Sequence, residues 1–279
     1  MAKSNQHISF TKMQAAGNDF IVLDNRSLKL SKADIIDLTP AICDRNFGVG
    51  SDGLLALFPP EKEEVDFTMF FRNPDGSDAG MCGNGARCMA LLAYSLGFGK
   101  AHKFNVHNKV YRAEIRFEDT VRISFPMEAS AEEVEVEGNR CYAIHPGTEH
   151  LVTQIDEKSF EDEKHLREQG TLLRHHNLFR PKGTNVNFIT GIDATHLKLQ
   201  TFERGVEDLT LACGTGAIAS ALIWHHIQKA ENAGVHMYRV ETKGGTLTVY
   251  FTFNTNTRAY SNIKLEGPAH FVFNGEYKL

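Results

Sequence analysis

Apolar and polar positions alternate along most of this chain. HISFTKM, KFNVHNKVYRAEIRF, VRISF, VEVEGNRCYAI and GTLTVYFTF set apolar residues two apart, the period of a half-covered β-strand. NKVY and EGNR interrupt two of these runs where a hairpin turn fits. Helical spacing is rarer. It predicts helices near 32–43, 84–96, 158–175 and 215–229, with Pro40 counting against regularity in the first. His225 and His226 are expected at an exposed end of the last helix. The mixture predicts an α+β or mixed α/β architecture.

An internal echo crosses this pattern. CGNGARCMALLAYSL and CGTGAIASALIWHHI each place a small-residue turn before an apolar helix, and their leading cysteines lie 131 positions apart (213 − 82). Two related domains explain such a spacing. The acidic EASAEEVEVE near residues 128–137 is a candidate boundary, which gives domains 1–128 and 129–266. GVGSDG, residues 48–53, matches a dinucleotide-binding glycine pattern. It lacks the strand before and the helix after that would aim a helix end at phosphate, so it reads as a loop.

Composition narrows the class. At 279 residues with 42% hydrophobic and 23% charged, the chain has the balance of a globular protein with a buried core. A net charge of −5 offers no basic surface for nucleic acid or an anionic membrane. MAKSNQHISF lacks the apolar core of a secretion signal and no later run approaches a membrane span, so the cytoplasm is the expected compartment. Five cysteines without a C-x-x-C pair support neither a disulfide framework nor a zinc ribbon, and no metal site is expected.

The chemistry gathers at Cys82 and Cys213. Glycines at a helix start leave backbone N–H groups and a positive dipole end facing outward, which suits an anion and favours a thiolate. The plain alternative is two small core residues ahead of helices; Cys43, Cys88 and Cys141 are themselves read as core, Cys88 on another face of the helix after Cys82. If both turns grip one carboxylate, a sulfur lies on each side of its α-carbon. One thiolate removes the α-proton, the opposite thiol returns one, and the N–H rows stabilise the enediolate-like charge. That is racemisation or epimerisation without pyridoxal phosphate or any other cofactor. Glu203 and Arg204 lie just upstream of Cys213, where the arginine can hold a carboxylate by two parallel bonds or simply form a surface ion pair.

With these residues in view, the chain resembles the diaminopimelate epimerase family over nearly its whole length. FTKMQAAGNDFIVLD, DRNFGVGSDGL, FFRNPDGSDAGMCGNGARC, GTNVNF and TFERGVEDLTLACGTGA carry the resemblance. It implies two similar domains, each a β-sheet wrapped around a central helix, with the active site in the cleft between them. The C-terminal strand, here within GPAHFVFNGE (residues 267–276), is implied to return to the first domain, so that residues 267–279 belong with 1–128. It also implies Cys82 and Cys213 as catalytic acid and base, with substrate contacts from Asn18, Asn73, Gly83, Asn84, Asn185, Glu203, Arg204, Gly214 and Thr215. The substrate is a small amino acid, LL- or meso-diaminopimelate, and the assembly a homodimer.

One stretch departs from the family pattern. GTEH, residues 147–150, keeps His150 but sets Thr148 and Glu149 where asparagine and proline are usual. A threonine can still donate and accept a hydrogen bond. Alternatively, Glu149 alters the pocket for the substrate's far end toward a cationic group. A racemase of another amino acid, or a relative without proton transfer, therefore stays open.

Overall fold

A computed structural model describes residues 7–228 and 232–278. The chain divides into two compact units, one running to Ile123 and resuming at Gly267, the other Ser124–Glu266.

In the first unit, β1 (His7–Ala15) and β2 (Asn18–Asp24) form a hairpin whose turn residues Ala16 and Gly17 take φ 51° and 82°. Helices α1 (Asn25–Leu28) and α2 (Lys32–Cys43) carry the chain to β3 (Leu54–Phe58), parallel to β2. β4 (Phe67–Arg72) pairs antiparallel with β3. Helix α3 (Gly83–Ser95) then crosses to β5 (Ala101–Val106), parallel to β4 and hairpinned with β6 (Lys109–Phe117), and β7 (Thr120–Ser124) follows.

The second unit repeats this order. After β8 (Ala129–Ser130) and β9 (Glu132–Val136), β10 (Asn139–Ile144) pairs antiparallel with β11 (His150–Gln154). Helices α4 (Glu157–Phe160) and α5 (Glu163–Arg174) lead to β12 (Asn185–Asp193), parallel to β11. β13 (His196–Glu203) returns antiparallel, with the short β14 (Asp208–Thr210) on its end. Helix α6 (Gly214–Ile227) crosses to β15 (Gly234–Thr242), parallel to β13, and β16 (Gly245–Asn254) and β17 (Ala259–Pro268) continue antiparallel. The final strand β18 (His270–Lys278) pairs with β1.

Burial explains the sequence pattern. α3 is buried from Gly83 to Ala93, and α6 is buried along almost its whole length, so neither is amphipathic and each is the central helix of its sheet. The opposite sheet face takes an outer helix through one apolar stripe. Ile35, Leu38 and Ile42 of α2 do so in the first unit, and Leu166 and Leu173 of α5 in the second. Strands sandwiched between two helices need apolar residues on both faces, hence the unbroken LLALF of β3 and, apart from Thr68, which bonds to Asn105, the FTMFF of β4. β16 is covered on one face and alternates.

The structure revises several expectations. The helix expected over 158–175 is two, because the Asp162 side chain accepts the His165 N–H at 3.1 Å and caps a new start. Pro40 does not end α2; it lies on the exposed side of the last turn. The first hairpin turn falls at His107–Asn108, one residue before the expected NKVY, whereas Glu137–Gly138 turns within EGNR. His225 is not exposed but 1% accessible, packed against Phe251, Phe253 and Tyr260, because the strands after α6 cover its last turn as well. The expected end of that helix, residue 229, lies outside the described residues.

Candidate active site

α3 and α6 both begin on a cysteine. Cys82 and Cys213 are the N-cap residues, with φ −112°, ψ 120° and φ −112°, ψ 115°. An extended cap leaves the first-turn N–H groups without helical partners, beside the positive end of the dipole. A thiolate or carboxylate is favoured there. Cys82 is half-buried, with its Sγ accepting the Gly85 N–H at 3.4 Å, and Cys213 is 7% exposed. The other three cysteines are buried, and burial pushes their thiols up, Cys88 furthest, which makes them poor proton carriers.

Behind Cys82 the network is ionic. Asn18 opens β2 and turns its Oδ1 to the Cys82 sulfur, 3.9 Å away. Its Nδ2 donates to Asp52 Oδ2 at 2.5 Å, and a carboxylate that only accepts fixes that orientation. Arg45 donates to Asp52 and to Asp19 at 2.7 Å each, and Lys12 pairs with Asp19. Burial alone would raise Asp19, but the hydrogen bonds and charges of Arg45 and Lys12 outweigh it and hold its carboxyl below the usual range. On α3 itself, the wholly buried Arg87 curls back to the first turn. It donates to Gly83 O at 3.3 Å, to Asn84 Oδ1 at 2.7 Å and to Pro268 O at 3.1 Å. Burial brings it down to about 10, opposed by the attraction of Cys88 and Cys82. Asn73 sits apart from this network, on the turn after β4, bonded to Ser77 Oγ at 3.0 Å.

Around Cys213 the partners are neutral. Thr215 Oγ1 lies 3.6 Å from the sulfur and 2.9 Å from His150 Nε2. His150 opens β11, as Asn18 opens β2. Asn187 Nδ2 donates to Leu151 O and to His150 Nδ1, both at 3.0 Å, and Thr201 Oγ1 donates to Asn187 Oδ1 at 3.0 Å. Burial pushes His150 down to about 3, so it is neutral at pH 7. With Nδ1 accepting, its proton sits on Nε2 and is donated to Thr215. The threonine hydroxyl is thereby left to donate to sulfur.

A second group in this unit surrounds Arg204, just after β13, with Glu203 as the strand's last residue. Arg204 Nη1 donates to Glu149 Oε2 at 3.0 Å and Nη2 to Thr148 Oγ1 at 2.8 Å. Asn185 accepts the Arg204 N–H at 2.9 Å and donates to Glu149 O at 2.9 Å. Arg204 thus forms an ion pair with Glu149.

Sequence reasoning did not single out Asp52, Arg45, Arg87, Asn187 or Thr201. Asn187 carried one signal: NVNF sets two polar side chains two apart, hence on one face, inside a strand whose other face is apolar. Among the described residues, no group of three or more His, Cys, Asp or Glu gathers as metal ligands would. Nor is any helix long and apolar enough to cross a membrane.

Comparison with known proteins bears on this arrangement. The family model for diaminopimelate epimerase matches residues 10–128 and 142–272. The chain is 35% identical to the diaminopimelate epimerase of Flavobacterium psychrophilum, over 94% of this chain and 97% of that protein. It is 37% identical to that of Chlorobaculum tepidum, over 96% of this chain and 100% of that protein. Among solved structures, a PhzF-family phenazine biosynthesis protein of Bacillus anthracis superposes with TM-score 0.76 at 12% identity, covering 98% of this chain and 100% of that one. A hydroxyproline epimerase of Agrobacterium vitis superposes with TM-score 0.70 at 13% identity, covering 100% of this chain and 94% of that one. Those two share the fold. The sequence relatives, matched from end to end across both cysteine-capped helices, carry the stronger conclusion: the chain belongs to the diaminopimelate epimerase family.

Proposed function

We propose that this protein is a diaminopimelate epimerase that inverts one α-carbon by proton transfer between Cys82 and Cys213. The observation that carries the reading is the repeated helix start, a cysteine cap with nearly identical backbone angles in the equivalent crossover of each unit. One thiolate takes the α-proton and becomes a thiol, while the electron pair left behind moves into the carboxylate as an enediolate. The opposite thiol protonates the other face and becomes the thiolate. The reverse reaction exchanges the two roles, so neither cysteine is dedicated to acid or base.

The first-turn N–H groups at Gly83–Asn84 and Gly214–Thr215 stabilise the enediolate, which carries more charge on oxygen than the ground state does. Asn18 and the Thr215–His150 relay keep each sulfur hydrogen-bonded in its working state. Asn73, Asn185 and Arg204 hold the far end of the substrate, with Thr148 beside them, and Glu203 is a further substrate contact. Because both proton carriers are side chains, the chemistry needs no added cofactor. We place the enzyme in the cytoplasm as a homodimer acting on a free amino acid; sedimentation equilibrium tests the dimer.

The deciding experiment is proton NMR of the reduced protein in D₂O with LL-diaminopimelate. Loss of the α-proton signal together with the appearance of meso product supports the reading. No exchange with any amino acid sinks it.

A further inference from the structure

The guanidinium of Arg204 is already engaged by the chain's own carboxylate. Glu149 Oε2 accepts from Nη1 at 3.0 Å, Thr148 Oγ1 accepts from Nη2 at 2.8 Å, and Gly183 O takes a longer contact at 3.4 Å. Asn185 fixes both halves of the pair through their backbones, at 2.9 Å on each side. Lys182 Nζ at 3.5 Å and His145 Nε2 at 4.0 Å flank the other carboxylate oxygen. Burial would raise Glu149, but its own backbone N–H, Arg204 and Lys182 together hold it down at about 2. The carboxylate is therefore charged throughout the working pH range.

We propose that Glu149 is a specificity-determining residue, supplying from the chain the carboxylate that a substrate's far end would otherwise bring to Arg204. The proposal rests on the epimerase reading and sharpens its substrate class. An uncompensated arginine repels a far-end ammonium and attracts a far-end carboxylate. Paired with Glu149, its charge is offset, and with Lys182 left as the neighbouring cation the repulsion of a far-end ammonium is reduced. A substrate with a second carboxylate must compete with Glu149 for the guanidinium, whereas an α,ω-diamino monocarboxylic acid does not. The site therefore discriminates weakly between diaminopimelate and L-lysine, which has the same carbon chain up to its ammonium and lacks the far carboxylate.

The test measures α-deuterium incorporation in D₂O with diaminopimelate and with L-lysine, for the wild type and Glu149→Gln. The half-exposed pair is of the kind worth little in isolation, so the expected change in each kcat/KM is about fivefold. In the variant it rises for diaminopimelate through a lower KM and falls for lysine, so their ratio climbs. A ratio that is unchanged or lower overturns the proposal. A second readout does not depend on turnover: phenylglyoxal labelling of Arg204, followed by peptide mass spectrometry, runs faster in Glu149→Gln if the carboxylate shields the guanidinium. Equal labelling rates also overturn it. If the wild type exchanges neither amino acid, the epimerase reading fails on its own, and the labelling rates still decide whether Glu149 occupies Arg204.

Discussion

The two units place the same parts in the same order and surround them differently. In each, a central helix begins on a cysteine cap, a polar residue opens the second strand of the hairpin, and a polar residue follows the strand ahead of that helix. Asn73 stands nine residues before Cys82, and Arg204 nine before Cys213 (82 − 73 = 213 − 204). What differs is the layer behind the sulfur. Cys82 meets an amide oriented by a charged cluster, Asn18 on Asp52 on Arg45. Cys213 meets a hydroxyl oriented by a neutral relay, Thr215 on His150 on Asn187. The side chain facing Cys82 is an acceptor, beside the Gly85 N–H that donates to the sulfur, and the side chain facing Cys213 is a donor. A repeated backbone frame thus carries two cysteines in matching positions, and the side chains behind the frame tell their surroundings apart.

Replacing either cysteine breaks the comparison most severely. Cys82→Ser and Cys213→Ser each lower inversion about 10²- to 10⁴-fold, the range general acid–base groups contribute. A large loss from only one of them, measured by deuterium exchange, would show that the units are not functionally paired.

The next effect separates equivalent glycines. A Cβ on Gly216 stands 2.6 Å from Asn187 Oδ1 and 2.9 Å from Thr201 Oγ1, inside the relay, while one on Gly85 comes no closer than 3.2 Å to a Leu55 methyl. Gly216→Ala costs about 1–3 kcal/mol and lowers kcat, because the relay has to move. At Gly85→Ala the small crowding is offset by the roughly 1 kcal/mol that alanine gains over glycine in a helix. Denaturant midpoints of the two variants check this; equal costs refute the distinction.

Acid tells the units apart through their histidines. His150 is held down to about 3 and His225 to about 4, both chiefly by burial, and His226 is lowered as well. In the first unit His102 alone is lowered, among the described residues. Below pH 6.5 the unfolded chain binds protons that the folded one refuses, so this stability is full above that value and lost on acidification. For His150 alone the loss is about 2 kcal/mol by pH 5. The lowered carboxyls Asp19 and Asp24 of the first unit lose their contribution only below the ordinary carboxylate range. Urea midpoints between pH 7 and 5 should fall with pH in the wild type and fall less steeply in His150→Gln, where His225, His226 and His102 still contribute. A flat wild-type profile contradicts a buried neutral imidazole.

The smallest effect is the most selective. Asn187→Leu removes the donor to His150 Nδ1 and frees its tautomer, so Thr215 no longer holds its proton toward sulfur. Alkylation of Cys213 by iodoacetamide slows by about threefold, in keeping with one neutral hydrogen bond, while Cys82 reacts as before. Equal slowing at both cysteines would mean a general loosening rather than a relay.

Much of the molecule was legible in the sequence, because burial and capping leave local traces. Alternation marked the half-covered strands, whereas the unbroken LLALF of a strand covered on both faces offered no alternation to read. CGNGAR and CGTGAI marked two helix starts, since a first turn whose N–H groups lack helical partners suits a cysteine followed by glycines of little bulk. Glu149 was visible as an oddity in GTEH, but nothing local said that it faced Arg204, 55 positions on. His225 misled because its polarity implied water, whereas the strands around α6 cover its whole length.

The sequence by itself determined the two cysteine-capped helices and the strand pattern around them, since periodicity and cap chemistry act over a few residues. Only the tertiary structure decided what stands behind each sulfur. The parallel register of β11 and β12, which sets His150 opposite Asn185, brings Asn187 within reach of an imidazole 37 positions away. The loop before β3 brings Asp52 to Asn18 across 34 positions. Such partners are chosen by strand register and by the requirement that buried polar groups be satisfied. Neither leaves a mark within the few residues that local pattern can read.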